Sequence, residues 1–149
     1  MDYYKFGLIP LLVLAGCVAG GPSMIDCGND LECFQDAAKT CTPAKVRITE
    51  EGTTMYMEMR GMSNDKCTTY MKIEKVEVPP EIPPEMAGFV TMFEGKEMTC
   101  NLPMDMASGV SPESVMGQTA STEDFFEMCE GSLVDTLQSL MAGLQGMMG

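Results

Sequence analysis

The chain has 149 residues, 22 of them acidic and 9 basic, which gives a net charge of −13, and it contains no histidine and no tryptophan. This length fits one domain and a leader. The acidic excess disfavours nucleic acid as a partner, and the missing histidine removes the commonest general base and metal ligand, so we expect a protein that is not an enzyme.

The first 17 residues have the organisation of an export signal. A short polar start with one cation, Lys5, is followed by an apolar run over residues 6–14, by the small residues Ala15 and Gly16, and then by Cys17. The apolar run is shorter than the roughly 20 residues that a membrane-spanning helix needs. We therefore predict that residues 1–16 are a signal peptide.

The tetrad Leu14-Ala15-Gly16-Cys17 resembles the lipobox of prokaryotic lipoproteins. In that class the leader is removed just before the cysteine, whose thiol carries a covalent lipid. The resemblance covers residues 1–17 and implies lipidation of Cys17, a short tether over residues 17–26 and an anchor on the outer face of the cell membrane. An ordinary signal cleaved after Ala19 and an uncleaved hydrophobic anchor are the alternatives, and all three imply export.

Once Cys17 is assigned to the leader or the lipid, six cysteines are left in a predicted extracytoplasmic domain over residues 27–149. In a small exported domain, six cysteines are typical of three disulfides. The sequence has no C-x-x-C motif, which argues against a redox pair and against zinc ribbons. The predicted disulfide cysteines are Cys27, Cys33, Cys41, Cys67, Cys100 and Cys129.

The first predicted element of this domain is a helix over residues 30–40. Asn29 is the expected N-cap, with Glu32 three residues later, and Pro43 stops the helix. Cys33 and Cys41 would lie about 12 Å apart along the helix axis, too far for a disulfide, whose Cα atoms approach within about 7 Å. We predict that these two cysteines do not bond to each other.

Three stretches with a period of two follow, around residues 45–49, 55–60 and 67–73. Turn residues separate them at Glu51-Gly52 and at residues 61–65, so the pattern predicts a three-stranded antiparallel meander. The apolar phase slips after Ile73, which predicts a bulge near Glu74 and Lys75.

Beyond the meander, Pro83-Pro84 opens a short predicted helix that ends near Phe93, and Met98, Cys100 and Leu102 mark a fourth strand. Cys67 and Cys100 fall on the inferred buried faces of strands that could be neighbours, and we predict a disulfide between them. Residues 103–121 are predicted to form a loop. The last helix carries an apolar stripe of Leu133, Leu137, Leu140, Met141, Leu144 and Met148.

The predicted fold class is α+β. We expect a small disulfide-stabilised domain in which an N-terminal helix and a C-terminal helix pack on an antiparallel sheet of about four strands.

The 17 methionines raise a metal hypothesis, because Met55, Met57 and Met59 form an M-x-M-x-M array and thioether sulfur suits Cu(I). The competing interpretation is that these side chains fill the core. Calcium binding by the carboxylates near Asp26 and Asp30 does not follow the spacing of a calcium loop. Copper binding therefore stays the alternative function.

The predicted function is a non-catalytic binding or structural role for a lipid-anchored protein of the cell envelope. Its expected partners are the membrane, through the lipid, and an envelope protein or a small ligand. The predicted binding surfaces are the exposed sheet face around Tyr56 and Tyr70 and the loop over residues 103–120.

Overall fold

A computed structural model describes residues 23–108 and 122–148 of the chain. The described part is an α+β domain with six strands and five helices. The strands are β1 (Ile25–Asp26), β2 (Ala44–Glu50), β3 (Thr53–Ser63), β4 (Lys66–Val76), β5 (Glu97–Pro103) and β6 (Cys129–Glu130). The helices are α1 (Leu31–Ala38), α2 (Pro84–Thr91), α3 (Met104–Ala107), α4 (Thr122–Met128) and α5 (Ser132–Met148).

All six strands form one mixed sheet in the order β1-β2-β3-β4-β5-β6. The short strand β1 runs parallel to β2, and every other neighbouring pair is antiparallel. The α+β class is confirmed, but the expectation of about four strands is wrong. The two extra strands, β1 and β6, have two residues each, and two residues are too few to show an alternating pattern.

The core lies on one face of this sheet. Helix α1 packs there through Phe34, Ala37 and Ala38 against β2 and β3, where Val46 and Met59 are almost fully buried. A second cluster joins α4 and α5 to β5 and β4 on the same face. Its members include Leu133, Val134, Phe125, Phe126, Met98, Cys100 and Ile73.

The predicted meander is confirmed. Two-residue turns join its strands, at Glu51-Gly52 and at Asn64-Asp65, and all four residues have positive φ. Such turns match the right-handed twist of paired strands. The bulge at Glu74 is also confirmed, because Thr54 pairs with Lys75 and Met55 pairs with Ile73, which leaves Glu74 without a partner residue in the register.

Helix α1 begins and ends slightly inside its predicted bounds, and its N-cap differs from the predicted one. The Asp30 side chain, not that of Asn29, accepts a hydrogen bond from the Cys33 backbone N–H at 3.1 Å. The helix therefore starts at Leu31, and Glu32 lies one position too early to complete a capping box with its N-cap.

The six predicted cysteines form three disulfides: Cys27–Cys33, Cys41–Cys67 and Cys100–Cys129. The separation of Cys33 from Cys41 is confirmed. The predicted Cys67–Cys100 disulfide is wrong, although both residues lie on the core face of adjacent strands. In the β4–β5 register Cys67 pairs with Leu102 and Cys100 pairs with Thr69. The two cysteines are therefore two residues out of register with each other.

Candidate functional site

The face of the sheet opposite the core is the candidate functional site. Its side chains alternate with the core side chains along each strand, and directly opposite residues in the register share the face. None of the helices in residues 23–108 and 122–148 contributes to the core from this side. We call this surface the open face; its charged and polar members are Asp26, Lys45, Arg47, Thr49, Thr54, Tyr56, Glu58, Arg60, Lys66, Thr68, Tyr70, Lys72, Glu74, Lys75, Glu97, Thr99, Asn101 and Glu130.

Two tyrosines lie at the centre of the open face. The rings of Tyr56 and Tyr70 meet edge to face, with centroids 6.3 Å apart. The Tyr56 hydroxyl donates to Glu58 Oε1 at 2.7 Å, and the Tyr70 hydroxyl donates to Glu97 Oε2 at 2.6 Å. Edge-to-face packing and two charge-assisted hydrogen bonds therefore fix both rings on the sheet.

Each ring also has an arginine beside it. The Arg47 guanidinium lies 5.3 Å from the centre of the Tyr56 ring, and the Arg60 guanidinium lies 4.5 Å from that of Tyr70, both within cation–π range. Arg47 forms a two-pronged ion pair with Glu74, with donor–acceptor distances of 2.7 and 2.9 Å. The planar fork of arginine holds this arrangement better than lysine could.

Arg60 occupies a second bulge, which the sequence did not predict. Met59 pairs with Thr69 and Gly61 pairs with Thr68, so Arg60 is the extra residue on β3. Its guanidinium donates to Glu58 Oε2 at 3.0 Å, and Glu58 therefore holds both Arg60 and Tyr56. Arg60 has no partner residue in the register, and its side chain lies on the open face beside Tyr70.

The electrostatics of these groups follow from their contacts. Burial, helped by the Glu58 carboxylate, raises the pKa of Tyr56 to about 12. The hydrogen bond to Glu97, helped by burial, raises the pKa of Tyr70 to about 12. The Tyr56 hydroxyl and Arg60 lower the pKa of Glu58, and Arg47 lowers that of Glu74. At neutral pH both tyrosines are protonated and both carboxylates are charged.

The open face has a different charge balance from the rest of the chain. It carries six of the nine Lys and Arg residues and five of the 22 acidic residues, in a chain with a net charge of −13. Neither Lys66 nor Lys72 belongs to the ion pairs found among the described residues. The charges of the face therefore nearly balance, and the acidic excess lies elsewhere in the chain.

The residue types of the open face are those of protein interfaces. Its tyrosines and arginines are the residue types that dominate binding energy at protein interfaces. Within the part of the chain that the structure describes, no group of three or more Asp, Glu or Cys side chains is arranged to hold a metal ion. The face offers rigid aromatic edges, guanidinium forks and cationic side chains.

The three methionines of the copper hypothesis lie on the other side of the sheet. Met57 and Met59 are 6% and 0% exposed, and Met55 packs against the same core cluster. An exchangeable metal ion needs sulfur that it can reach. Copper binding by this array stays a prediction that the burial of these thioethers does not favour.

The structure places the remaining predicted site residues as follows. Tyr56 and Tyr70 lie together, as predicted, on the face that the helices leave open. The predicted binding loop differs at its start, because Pro103 ends β5 and Met104–Ala107 form α3. Residues 109–121, and residues 1–22 with the predicted signal peptide and the lipidation site Cys17, lie outside the described residues.

Sequence reasoning did not single out the charged partners of the two tyrosines, Arg47, Glu58, Arg60, Glu74 and Glu97. The available signal was the mixing of both charge signs at the polar positions of adjacent strands. Arg47 lies on β2 and Glu74 on β4, with β3 between them, so their pairing depends on strand order and register. Glu58 meets Tyr56 and Arg60 two residues away on its own strand.

Comparison with known proteins adds no family to these observations. No protein-family model matches the chain, and no curated protein or solved structure matches it significantly. Among the described residues, no helix is both long and apolar enough to cross a membrane. Three disulfides are typical of an oxidising compartment outside the cytoplasm.

Proposed function

We propose that this protein is a lipid-anchored, extracytoplasmic binding protein that holds an envelope protein on the open face of its sheet. Its role is non-catalytic. The observation that carries the proposal is the open face itself, a fixed Tyr–Arg–Glu array with nearly balanced charge in an otherwise acidic chain. Tyrosine and arginine contribute most to binding when they are held in place before the partner arrives.

Anchoring through Cys17 is the second part of the proposal. The lipobox resemblance of residues 14–17 supports it, and the disulfides support an extracytoplasmic location. β1 starts at Ile25, so at most seven residues link Cys17 to the sheet. Because an extended residue spans at most about 3.6 Å, the domain would lie within about 30 Å of the bilayer.

Cross-linking in intact cells tests the open face. A photoreactive amino acid in place of Lys72 lies at the centre of the face, and the same residue in place of Glu32 lies on the exposed side of α1 as the matched control. We expect one envelope protein to be captured from position 72 and not from position 32. Equal capture from both positions, or none from position 72, would contradict the proposal.

Point variants then measure the contribution of the face. Tyr56→Ala and Tyr70→Ala should each reduce capture of that protein at least tenfold, since truncated hot-spot residues cost about 2 kcal/mol or more. Glu32→Lys, which changes a charge on the opposite side of the domain, should leave capture unchanged. Capture that survives both tyrosine substitutions would place the binding surface elsewhere.

Metabolic labelling tests the anchor. The wild-type chain should incorporate radioactive palmitate and fractionate with membranes, and Cys17→Ser should incorporate none. An unlabelled wild-type chain would refute lipidation but leave the open-face experiment valid.

A further inference from the structure

The described residues cover the apolar stripe of α5 only in its first half. Leu133 and Val134, in the first turn, are buried against β5. Leu140 and Met141 are only partly covered, and Leu144 is 59% exposed. Residues 142–146 of the helix are all exposed.

The exposed stripe has the spacing of a helix-pairing seam. Leu133, Leu137, Leu140 and Leu144 alternate at intervals of four, three and four residues, and Met147 continues the series. This is the spacing of positions a and d in a heptad, which face a partner helix. The first two leucines face the sheet, and the later ones are available to a second helix.

The charge of this segment favours a second copy of the chain as that partner. Two copies with a net charge of −13 repel each other over most of their surfaces. Residues 136–149, however, contain no Asp, Glu, Lys or Arg. Two copies that approach through this end of α5 therefore bring no charged side chains of the helix together.

The position of the segment argues against the bilayer as its cover. Ser139 and Leu140 line a shallow groove with Met92 and Lys96, at the end of the sheet where β5 begins. The chain enters at the opposite end, because Ile25 pairs with Ala44 at the start of β2. Under the proposed anchoring, which this step assumes, the groove lies at the end of the sheet away from the tether. The second half of α5 also lacks the basic residues of helices that lie on anionic membranes.

We propose that the second half of α5, residues 138–148, pairs with the same segment of a second copy to form a symmetric dimer. About three turns of helix bury less surface than the roughly 1,200 Å² of a stable interface, so the pairing is weak in solution. Anchoring both copies in one membrane raises their effective concentration and supports the dimer. Both open faces stay available to partners.

A two-tag co-capture experiment tests the pairing in the full-length chain. Two differently tagged copies are co-expressed, extracted from membranes in mild detergent and captured through one tag. We expect the wild-type copies to be captured together. Leu140→Lys with Leu144→Lys in both copies should reduce co-capture at least tenfold, because four buried cations would face one another. Gln138→Lys with Gln145→Lys adds the same charge on the opposite side of the helix and should leave co-capture unchanged.

Opposite charges on the two copies distinguish direct pairing of the two helices from other causes of co-capture. One copy carries Leu140→Lys and Leu144→Lys, and the other carries Leu140→Asp and Leu144→Asp. We expect this mixed pair to recover co-capture. No recovery, no co-capture of the wild type, or equal loss in the Gln138 and Gln145 control would each overturn the proposal. Cross-linking from Lys72 in the same variants reports on the open face, so failure of the dimer is distinguishable from failure of the binding role.

Discussion

Folding raises the pKa of the two open-face tyrosines. The pKa of each is about 12, from burial and Glu58 at Tyr56 and from Glu97 and burial at Tyr70, whereas an unfolded tyrosine titrates near pH 10. A raised folded-state pKa stabilises the fold below the unfolded value, and that stability is lost as the pH rises from about 10 through 12.

We therefore predict that the urea midpoint of unfolding is lower at pH 11 than at pH 9. The double variant Tyr56→Phe, Tyr70→Phe should show a smaller decrease, because it has no phenol to ionise at either position. Lys39 and Lys75, whose pKa values are raised by hydrogen bonds to Asp36 and Glu77, account for part of the remaining decrease. An equal decrease in the double variant would show that the tyrosines are not linked to folding.

One glycine is required by a close backbone approach where β6 passes into α5. Gly131 has φ +128°, and a Cβ there would lie 2.5 Å from the Glu97 carbonyl oxygen and 3.0 Å from the Met98 Cα. We expect Gly131→Ala to lower the free energy of unfolding by about 1 to 3 kcal/mol, through overpacking and backbone strain.

The matched control is Gly88→Ala in α2, where an added Cβ meets nothing within 4 Å. This change should raise the free energy of unfolding by up to about 1 kcal/mol, because alanine favours the helix more than glycine does. Urea unfolding followed by circular dichroism measures both variants. Similar effects at the two positions would contradict the close approach at Gly131.

Among the elements, the long central strands were predictable and the edge strands were not. The meander was predictable because apolar residues such as Val46, Ile48, Cys67 and Ile73 alternate along the strands with polar residues of the opposite face. The pairing of Ile25 with Ala44 and of Cys129 with Cys100 is non-local, and no pattern in two residues encodes it. The site was predictable as a face around Tyr56 and Tyr70, but its Arg47–Glu74 ion pair, which joins β2 to β4, depends on register.

Each edge strand adjoins or contains a cysteine. Cys27 follows β1 and bonds to Cys33 in α1, and Cys129 in β6 bonds to Cys100 in β5. Two hydrogen-bonded residues hold a strand weakly on their own. The disulfides therefore stabilise the short edges that cover part of β2 and β5.

Disulfide removal tests this arrangement. The Cys100–Cys129 bridge spans 29 positions and the Cys27–Cys33 bridge spans 6. From loop-closure entropy, replacing both cysteines by alanine should cost about 3 to 4 kcal/mol for the longer loop and about 2 kcal/mol for the shorter one. Urea unfolding under identical conditions gives the two values. A larger loss from the shorter bridge would show that unfolded-state entropy does not dominate.

On the scale of the whole molecule, like-charge repulsion opposes folding. The described residues contain five ion pairs, and all of them are wholly or partly exposed, so each contributes little. The excess of 22 acidic over 9 basic residues is larger than these pairs can neutralise. Exposed acids such as Glu50, Glu81 and Glu85 therefore have more negative than positive charges around them.

We predict that raising NaCl from 10 mM to 500 mM increases the Tm by a few degrees, which corresponds to about 1 kcal/mol for a domain of this size. Salt shortens the Debye length from about 30 Å to a few ångströms, so it screens the repulsion of the whole acidic excess while weakening only a few short-range pairs. The triple variant Glu50→Gln, Glu81→Gln, Glu85→Gln carries three fewer negative charges and should respond less. Scanning calorimetry of both proteins at both salt concentrations measures the difference. A Tm that falls with salt, or an equal rise in the triple variant, would contradict a dominant effect of net-charge repulsion on stability.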